Sequence, residues 1–268
     1  MNRIALAFLL FLFVATAATL TSSRSADLPV LPKAVGPSIP VVVELFTSEG
    51  CSSCPAADEV LRELEATQLV AGVEVLALGQ HVDYWNRLGW KDAFSSHAFT
   101  QRQRDYAAGF GSGSYTPQAV VNGQYEFAGG RRQEMMAALL KAAKAPHATV
   151  SVRRAGAGTL TVRVADLPAG TQPAEVLLAL TETGLSSQVG KGENAGRLLR
   201  HASVVRALRV LGAVDSKDSF TVSTPLNLNN QWKTRNVRAV VLVQEKESRH
   251  IVGAGSLSLQ GADLTSHD

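Results

Sequence analysis

Cysteine is nearly absent. The 268 residues hold two, Cys51 and Cys54, both within "ELFTSEGCSSCPAADEVLRELE". Neither stands near the end of the N-terminal apolar run, which excludes the usual bacterial lipid attachment. Charge is sparse as well: charged residues are 18% of the chain and the formal net charge is +3, too small and too dispersed to argue for nucleic acid. No nucleic-acid partner is expected. "GFGSGS" lacks the Lys-Ser/Thr that a phosphate loop needs and reads as a flexible lead into the loop at Pro117. No internal repeat is present, and with 46% hydrophobic residues nothing suggests disorder on the scale of the chain. The chain is long enough to bury one large core or two ordinary ones.

Only one apolar run is long, and it stands at the start. Arg3 precedes "IALAFLLFLFVATAATL", and the polar "TSSRSA" follows, which is the order of a secretory signal peptide over residues 1–25. Cleavage fits after Ala17 or after Ser25. The run is short for a bilayer span, so an uncleaved anchor is the lesser reading and no stable membrane span is expected in the mature protein. These residues imply export, to the periplasm or beyond. Residues 26–39, "ADLPVLPKAVGPSI", read as an extended proline-rich tether.

Val41 to Phe46 is a β-branched apolar run with Glu44 as its one charge, as expected of a strand buried on both faces. Ala56, Val60, Leu61 and Leu64 then recur at helical spacing after Pro55, a residue suited to a first helical turn. "VEVLALGQ", residues 73–80, reads as a second buried strand, and the intervening helix suits a right-handed crossover to a parallel neighbour. The cysteines therefore fall where a strand meets a helix. His81 and Asp83 fall on the same edge, where chemistry gathers in parallel sheets. The pattern C-x-x-C at a helix N-terminus favours a thiolate on Cys51, with Cys54 placed to resolve a mixed disulfide. An inert clip would close too small a loop to stabilise much. A metal site is the third reading, with His81 as a candidate ligand beside the sulfurs.

Further along, Thr116-Pro117 precedes the strand-like "QAVVNG", and the helical "RRQEMMAALLKAA" comes after it. This order resembles the thioredoxin fold, in which a cis proline faces the C-x-x-C pair and the residue before it pairs with a bound polypeptide. Tyr115, Thr116 and Pro117 match that element. The segments "VVVELFTSEGCSSCPAAD", "HVDYWNRLGWKDAFSS", "RQRDYA" and "YTPQAVVNG" are similar to the secreted bacterial family catalogued as domain of unknown function 1223. That resemblance implies a thioredoxin-like fold over residues 40–147 and an exported location, and carries no settled activity. Three departures from working thioredoxins stand out: no Trp precedes Cys51, Ser52-Ser53 replaces Gly-Pro, and Glu44 lies seven residues before Cys51 rather than six. "NRLGWKDAFSSHAFTQRQRDYAAGF" reads as a helical insert, started by Asp92 or Ser95 and ended by Gly109.

From residue 148 to 262 short alternating runs such as "TLTVRV" and "SFTVST" suggest a sandwich-like β-rich domain or extension, before a tail at 263–268. Lys191, Arg197, Arg200, Arg206 and Arg209 give it a local basic bias, either a solvated edge or a contact for an acidic partner or anionic envelope component. The fold class expected is thus α/β: a thioredoxin-like domain with a helical insert, followed by the β-rich region. The function expected is exchange of disulfides with polypeptide clients by an exported oxidoreductase-like protein, with Cys51 and Cys54 catalytic and Tyr115, Thr116 and Pro117 binding the client. Glu44, His81 and Asp83 are candidates to stand behind the cysteines. No cofactor and no resident metal are assigned. A copper-handling module and a non-catalytic interaction module are the alternatives.

Overall fold

The structure is a computed structural model that describes residues 38–156, 158–215 and 219–260. The expected signal peptide, the tether up to residue 37 and the tail at 263–268 lie outside those residues. The apolar run around Glu44 forms β1 (Ile39–Thr47). Helix α1 (Cys54–Thr67) carries Pro in its first turn and buries Ala57, Asp58, Leu61 and Leu64 at helical spacing. It leads to β2 (Val73–His81), which runs parallel to β1 and sets His81 opposite Thr47. Helix α2 (His97–Phe110) starts at Ser96, whose hydroxyl accepts the Ala98 N–H, and ends at Gly111 in the left-handed region. Those caps replace the Asp92, Ser95 and Gly109 that the sequence suggests. A hairpin of β3 (Gln118–Val121) and β4 (Tyr125–Ala128) and helix α3 (Arg132–Ala142) complete the first half.

The second half supplies β5 (Ala148–Arg154), β6 (Thr159–Ala165), β7 (Ala174–Glu182), β8 (Ser186–Gln188), β9 (Leu198–Arg200), β10 (Val204–Val214), β11 (Phe220–Pro225), β12 (Val237–Glu245) and β13 (Ile251–Ser258). Eleven strands join in one mixed sheet of order β11-β6-β5-β13-β12-β7-β10-β2-β1-β3-β4, while β8 and β9 form a separate two-stranded ribbon.

This architecture overturns the expected thioredoxin-like domain with a helical insert and a separate sandwich-like region. Strand β10 pairs with β2 through Val204 and Gly79, so β2 is no sheet edge and the C-terminal strands continue the N-terminal ones. Gly79 permits this. Its N–H donates to the Ser203 carbonyl at 2.6 Å, and a Cβ there would lie only 3.1 Å from that oxygen. The cores are shared too: Val42, Leu76 and Leu78 from β1 and β2 cluster with Leu177, Ala179, Val240 and Leu242 from β7 and β12.

Side-chain alternation along β1 sets where chemistry can lie. Val41, Val43 and Leu45 face α1 and α3, packing on Leu61, Leu64, Met135 and Leu139. Val42, Glu44 and Phe46 take the opposite face. Phe46 packs there with Tyr106 of α2.

The β3–β4 turn ties the two halves together. Asn122 and Gly123 have φ of 45° and 66°, the left-handed pair of a tight hairpin turn. Asn122 accepts the Ile251 N–H through its backbone carbonyl and the Val42 N–H through Oδ1. A Cβ on Gly123 would meet the Arg249 carbonyl at 2.0 Å. Gly123→Ala is therefore expected to cost roughly 2–4 kcal/mol and to lower the melting temperature by about 5–10 °C. An unchanged thermal melt would show that this turn is not docked against residue 249.

Candidate functional site

Strand β1 ends at Thr47, and the chain turns through Ser48 to Cys51, whose N–H donates to the Ser48 carbonyl at 3.2 Å. Cys54 is the first residue of α1, so Cys51 stands just ahead of the helix. The two are joined as a disulfide, with Cα atoms 5.4 Å apart. Both cysteines are buried, each 1% exposed. Ser52 and Ser53 face solvent, whereas both cysteines are covered.

The cover comes from the tip of the β8–β9 ribbon, far along the chain. Asn194, fully buried, donates through Nδ2 to the carbonyls of Glu49 and Cys51, both at 2.9 Å. Arg197 in turn holds Asn194 Oδ1 at 2.7 Å. The Glu193 carboxylate accepts the Ser52 N–H at 2.9 Å, and the Ser52 hydroxyl, together with that N–H, holds its pKa below the usual carboxylate value. Trp90 backs the ribbon tip, since a Cβ on Gly190 would lie 3.2 Å from its ring.

Behind the disulfide lies a buried cluster of ionisable groups. Asp58 follows Cys54 by one helical turn on the same face of α1 and accepts the Thr47 hydroxyl at 2.8 Å. His81 Nδ1 is 2.6 Å from Asp92 Oδ2, which also accepts the Glu49 N–H. Glu49 takes the Trp90 indole N–H at 2.6 Å and has His201 Nε2 at 3.1 Å. The His81 and His201 rings meet edge to face, 4.8 Å between centroids, and Phe94 packs on both.

Burial pushes the Asp58 carboxyl up, and the nearby histidines and the Thr47 and Ala202 hydrogen bonds only partly offset it. Burial alone would push the His81 imidazole down, but Asp92, then Asp58 and Glu49, hold it above its ordinary value. Burial raises Glu49 and Asp92 too. In Glu49 the hydrogen bonds from His201, Ser187 and Trp90 prevail, and in Asp92 the charge and hydrogen bond of His81 and backbone N–H groups do; both end below the usual range. Asp58 Oδ1 and His81 Nε2 are buried and make no hydrogen bond among the described residues. With the Asp58 carboxyl and the His81 imidazole both raised, this buried cluster can hold protons near neutral pH. Among the described residues no three His, Cys, Asp or Glu side chains are set to hold a metal ion.

The Thr116-Pro117 peptide bond is cis, and Pro117 is buried. Trp85 links this loop to the cysteine turn: its indole N–H donates to Thr116 Oγ1 at 2.9 Å, and its Cβ would touch a Cβ on Gly50 at 3.1 Å. Tyr115 is exposed, its hydroxyl on Glu126 and its carbonyl taken by Gln103. Of the residues singled out in sequence, His81 joins the cluster. Glu44 does not: it faces α2 and is held there by Arg102, Tyr106 and Gln80. Asp83 also turns to α2, bonded to Thr100 and 3.3 Å from His97.

Residues 42–244 match the family described as a protein of unknown function, DUF1223, and the chain belongs to that family. A crystal structure of an Agrobacterium tumefaciens protein is similar at 31% identity and a TM-score of 0.67, covering 87% of this chain and 100% of the other. A β-glucuronidase from Bacteroides uniformis is matched over 41% of this chain and 12% of its own, at 13% identity and a TM-score of 0.20, too slight a likeness to carry any argument. No curated protein matches the sequence. No described helix is long and apolar enough to cross a membrane.

Proposed function

We propose that this protein exchanges its Cys51–Cys54 disulfide with thiols and disulfides of polypeptide clients outside the cytoplasm. The observation that carries the reading is the buried set of Glu49, Asp58, His81, Asp92 and His201 packed behind the only two cysteines of the chain. Burying five ionisable side chains costs stability, and such clusters gather where protons must be moved. A disulfide closing so small a loop contributes little to stability that would otherwise explain it.

In the oxidised protein, a client thiolate attacks one sulfur, the S–S bond breaks, and a mixed disulfide forms while the other sulfur leaves as a thiolate. That thiolate takes a proton. A second client thiol then displaces the first sulfur, so the client is oxidised by two electrons and the protein becomes a dithiol. In reverse, Cys51 attacks a client disulfide and Cys54 resolves it. Because both sulfurs are buried, each direction needs the ribbon tip at Glu193 and Asn194 to lift first.

Two measurements test this. Equilibration of the full chain with glutathione is expected to give a reversible couple between about −270 and −120 mV, the range of exchange proteins. Cys54→Ser, expressed with its native leader and acid-quenched, is expected to accumulate reducible adducts that Cys51→Ser lacks. A couple far below that range together with no adduct would leave a static disulfide in a non-catalytic interaction module.

A further inference from the structure

Helix α1, the β8–β9 ribbon and the start of β12 line an open cleft of about 700 Å³, within the range of small-molecule sites. Four arginines from different elements line it: Arg62 of α1, Arg200 of β9, Arg235 of the turn before β12, and Arg238 of β12. Three glutamates, Glu59, Glu63 and Glu65, line it as well. Glu63, also on its wall, is paired with Arg132, and Arg238 reaches Glu74 at 3.4 Å. Arg62 is paired with Glu59, yet its Nε is buried and makes no hydrogen bond among the described residues. Neither Arg200 nor Arg235 makes an ion pair with a described residue.

The remaining acid on the wall is Glu65, whose carboxyl takes the Ser203 hydroxyl and is pushed up by burial, with Ser203 and Arg238 opposing. Four arginines thus line the cleft against three glutamates, one of which is paired with Arg132. The basic stretch seen in the sequence resolves the same way. Arg197 is held by Asn194, Arg206 by Glu182 with its guanidinium over Phe94 and Trp232, and Arg209 by the Pro225 carbonyl. Arg200 is left facing the cleft.

We propose that this cleft binds a small molecule carrying two or more phosphate or carboxylate groups, gripped by Arg62, Arg200 and Arg235. Guanidinium forks match either oxyanion in a bidentate fashion, and a ligand with separated anionic groups satisfies arginines on facing walls. The inference stands apart from the disulfide: none of the contacts it needs includes Cys51 or Cys54, and its readout is binding, so it survives or fails independently of thiol exchange.

The test is calorimetric titration of the full chain, in low-salt buffer, with inorganic pyrophosphate and with citrate. At least one probe is expected to bind at one site with a dissociation constant below ~1 mM. Arg200→Ala/Arg235→Ala is expected to weaken it at least ~10-fold, and Arg200→Glu to abolish it, while Arg153→Ala, at an exposed arginine of β5, leaves it unchanged. Binding of pyrophosphate alone identifies a phosphate-bearing ligand, and of citrate alone a carboxylate-bearing one. Failure of both probes to bind, or equal weakening by Arg153→Ala, would overturn the proposal. All three variants change exposed arginines only, and unchanged thermal melts separate lost binding from lost fold.

Discussion

Arg102→Met is expected to cost roughly 3–5 kcal/mol at neutral pH and to lower the melting temperature by about 10 °C or more. Arg102 is buried in α2 and grips the buried Glu44 with two bonds, Nε to Oε2 at 2.5 Å and Nη2 to Oε1 at 2.9 Å. Tyr106 and Gln80 also donate to this carboxylate, and Arg102 reaches Gln244 of β12 at 2.9 Å. Removing the guanidinium leaves a carboxylate in the interior without its counter-charge, which costs more than the pair itself contributes. Glu44→Gln/Arg102→Met removes both charges and is expected to recover much of the loss.

The pH dependence gives a second readout. Burial would raise Glu44, but the charge and hydrogen bond of Arg102, with Tyr106 and Gln80, outweigh it and hold the pKa below the ordinary value. A depressed folded pKa contributes stability that is present above the unfolded value, about 4.3, and is lost as pH falls through the folded one. In Arg102→Met burial acts unopposed by that charge, so the shift reverses and stability falls as pH rises above the unfolded value. Urea denaturation at pH 4.5 and 7.5 is therefore expected to show a smaller gap between wild type and variant at the lower pH. A loss under ~1 kcal/mol, or one independent of pH, would show that Arg102 is not the counter-charge of Glu44.

Local order is legible where a residue's role depends on near neighbours. The strand, turn and helix around Cys51 and Cys54, the proline loop at Thr116-Pro117 and the hairpin at Asn122-Gly123 all arise from short-range pattern. The same kind of pattern places Thr47 and Asp58. Glu44 and Thr47 differ by an odd number of positions in one strand, so only one of them can share the face of α1, and Thr47 is the one that meets Asp58. Asp58 falls on the buried stripe of its helix beside Leu61, a charged residue at an apolar position. Asp92, Asn194 and His201 carry no such signal. Asp92 meets Glu49 across 43 residues, and Asn194 and His201 meet it across 145 and 152, and nothing local encodes which strand edge β10 will join. Gly79 is the visible hint, since glycine inside a strand marks a close backbone approach. The separate C-terminal region fails as an expectation for that reason: its strands alternate as a free-standing sheet would, and the Gly79–Ser203 contact that carries the sheet on from β2 joins residues far apart in sequence.

The largest kinetic effect is expected from Asn194→Ala. Its carboxamide is fully buried and its two donated bonds pin the ribbon tip over the turn that carries Cys51. Each such bond contributes about 1 kcal/mol net, and truncation leaves two carbonyls without their donor while the tip is closed, so the closed state loses about 2 kcal/mol. If the sulfurs react only when the tip has lifted, and lifting is fast compared with attack, the rate follows the open population and rises roughly 10–30-fold. Reduction by dithiothreitol, followed by trapping of free thiols, measures it directly. Local opening exposes little surface, so the rate should depend weakly on urea, whereas passage through the unfolded state would carry the full denaturant slope. A rate unchanged by the substitution, or one that tracks global unfolding in both proteins, would remove the ribbon tip as the gate. An unchanged slope with a raised rate would place the control of this disulfide in residues that lie far from it in sequence, as His201 of the buried cluster also does.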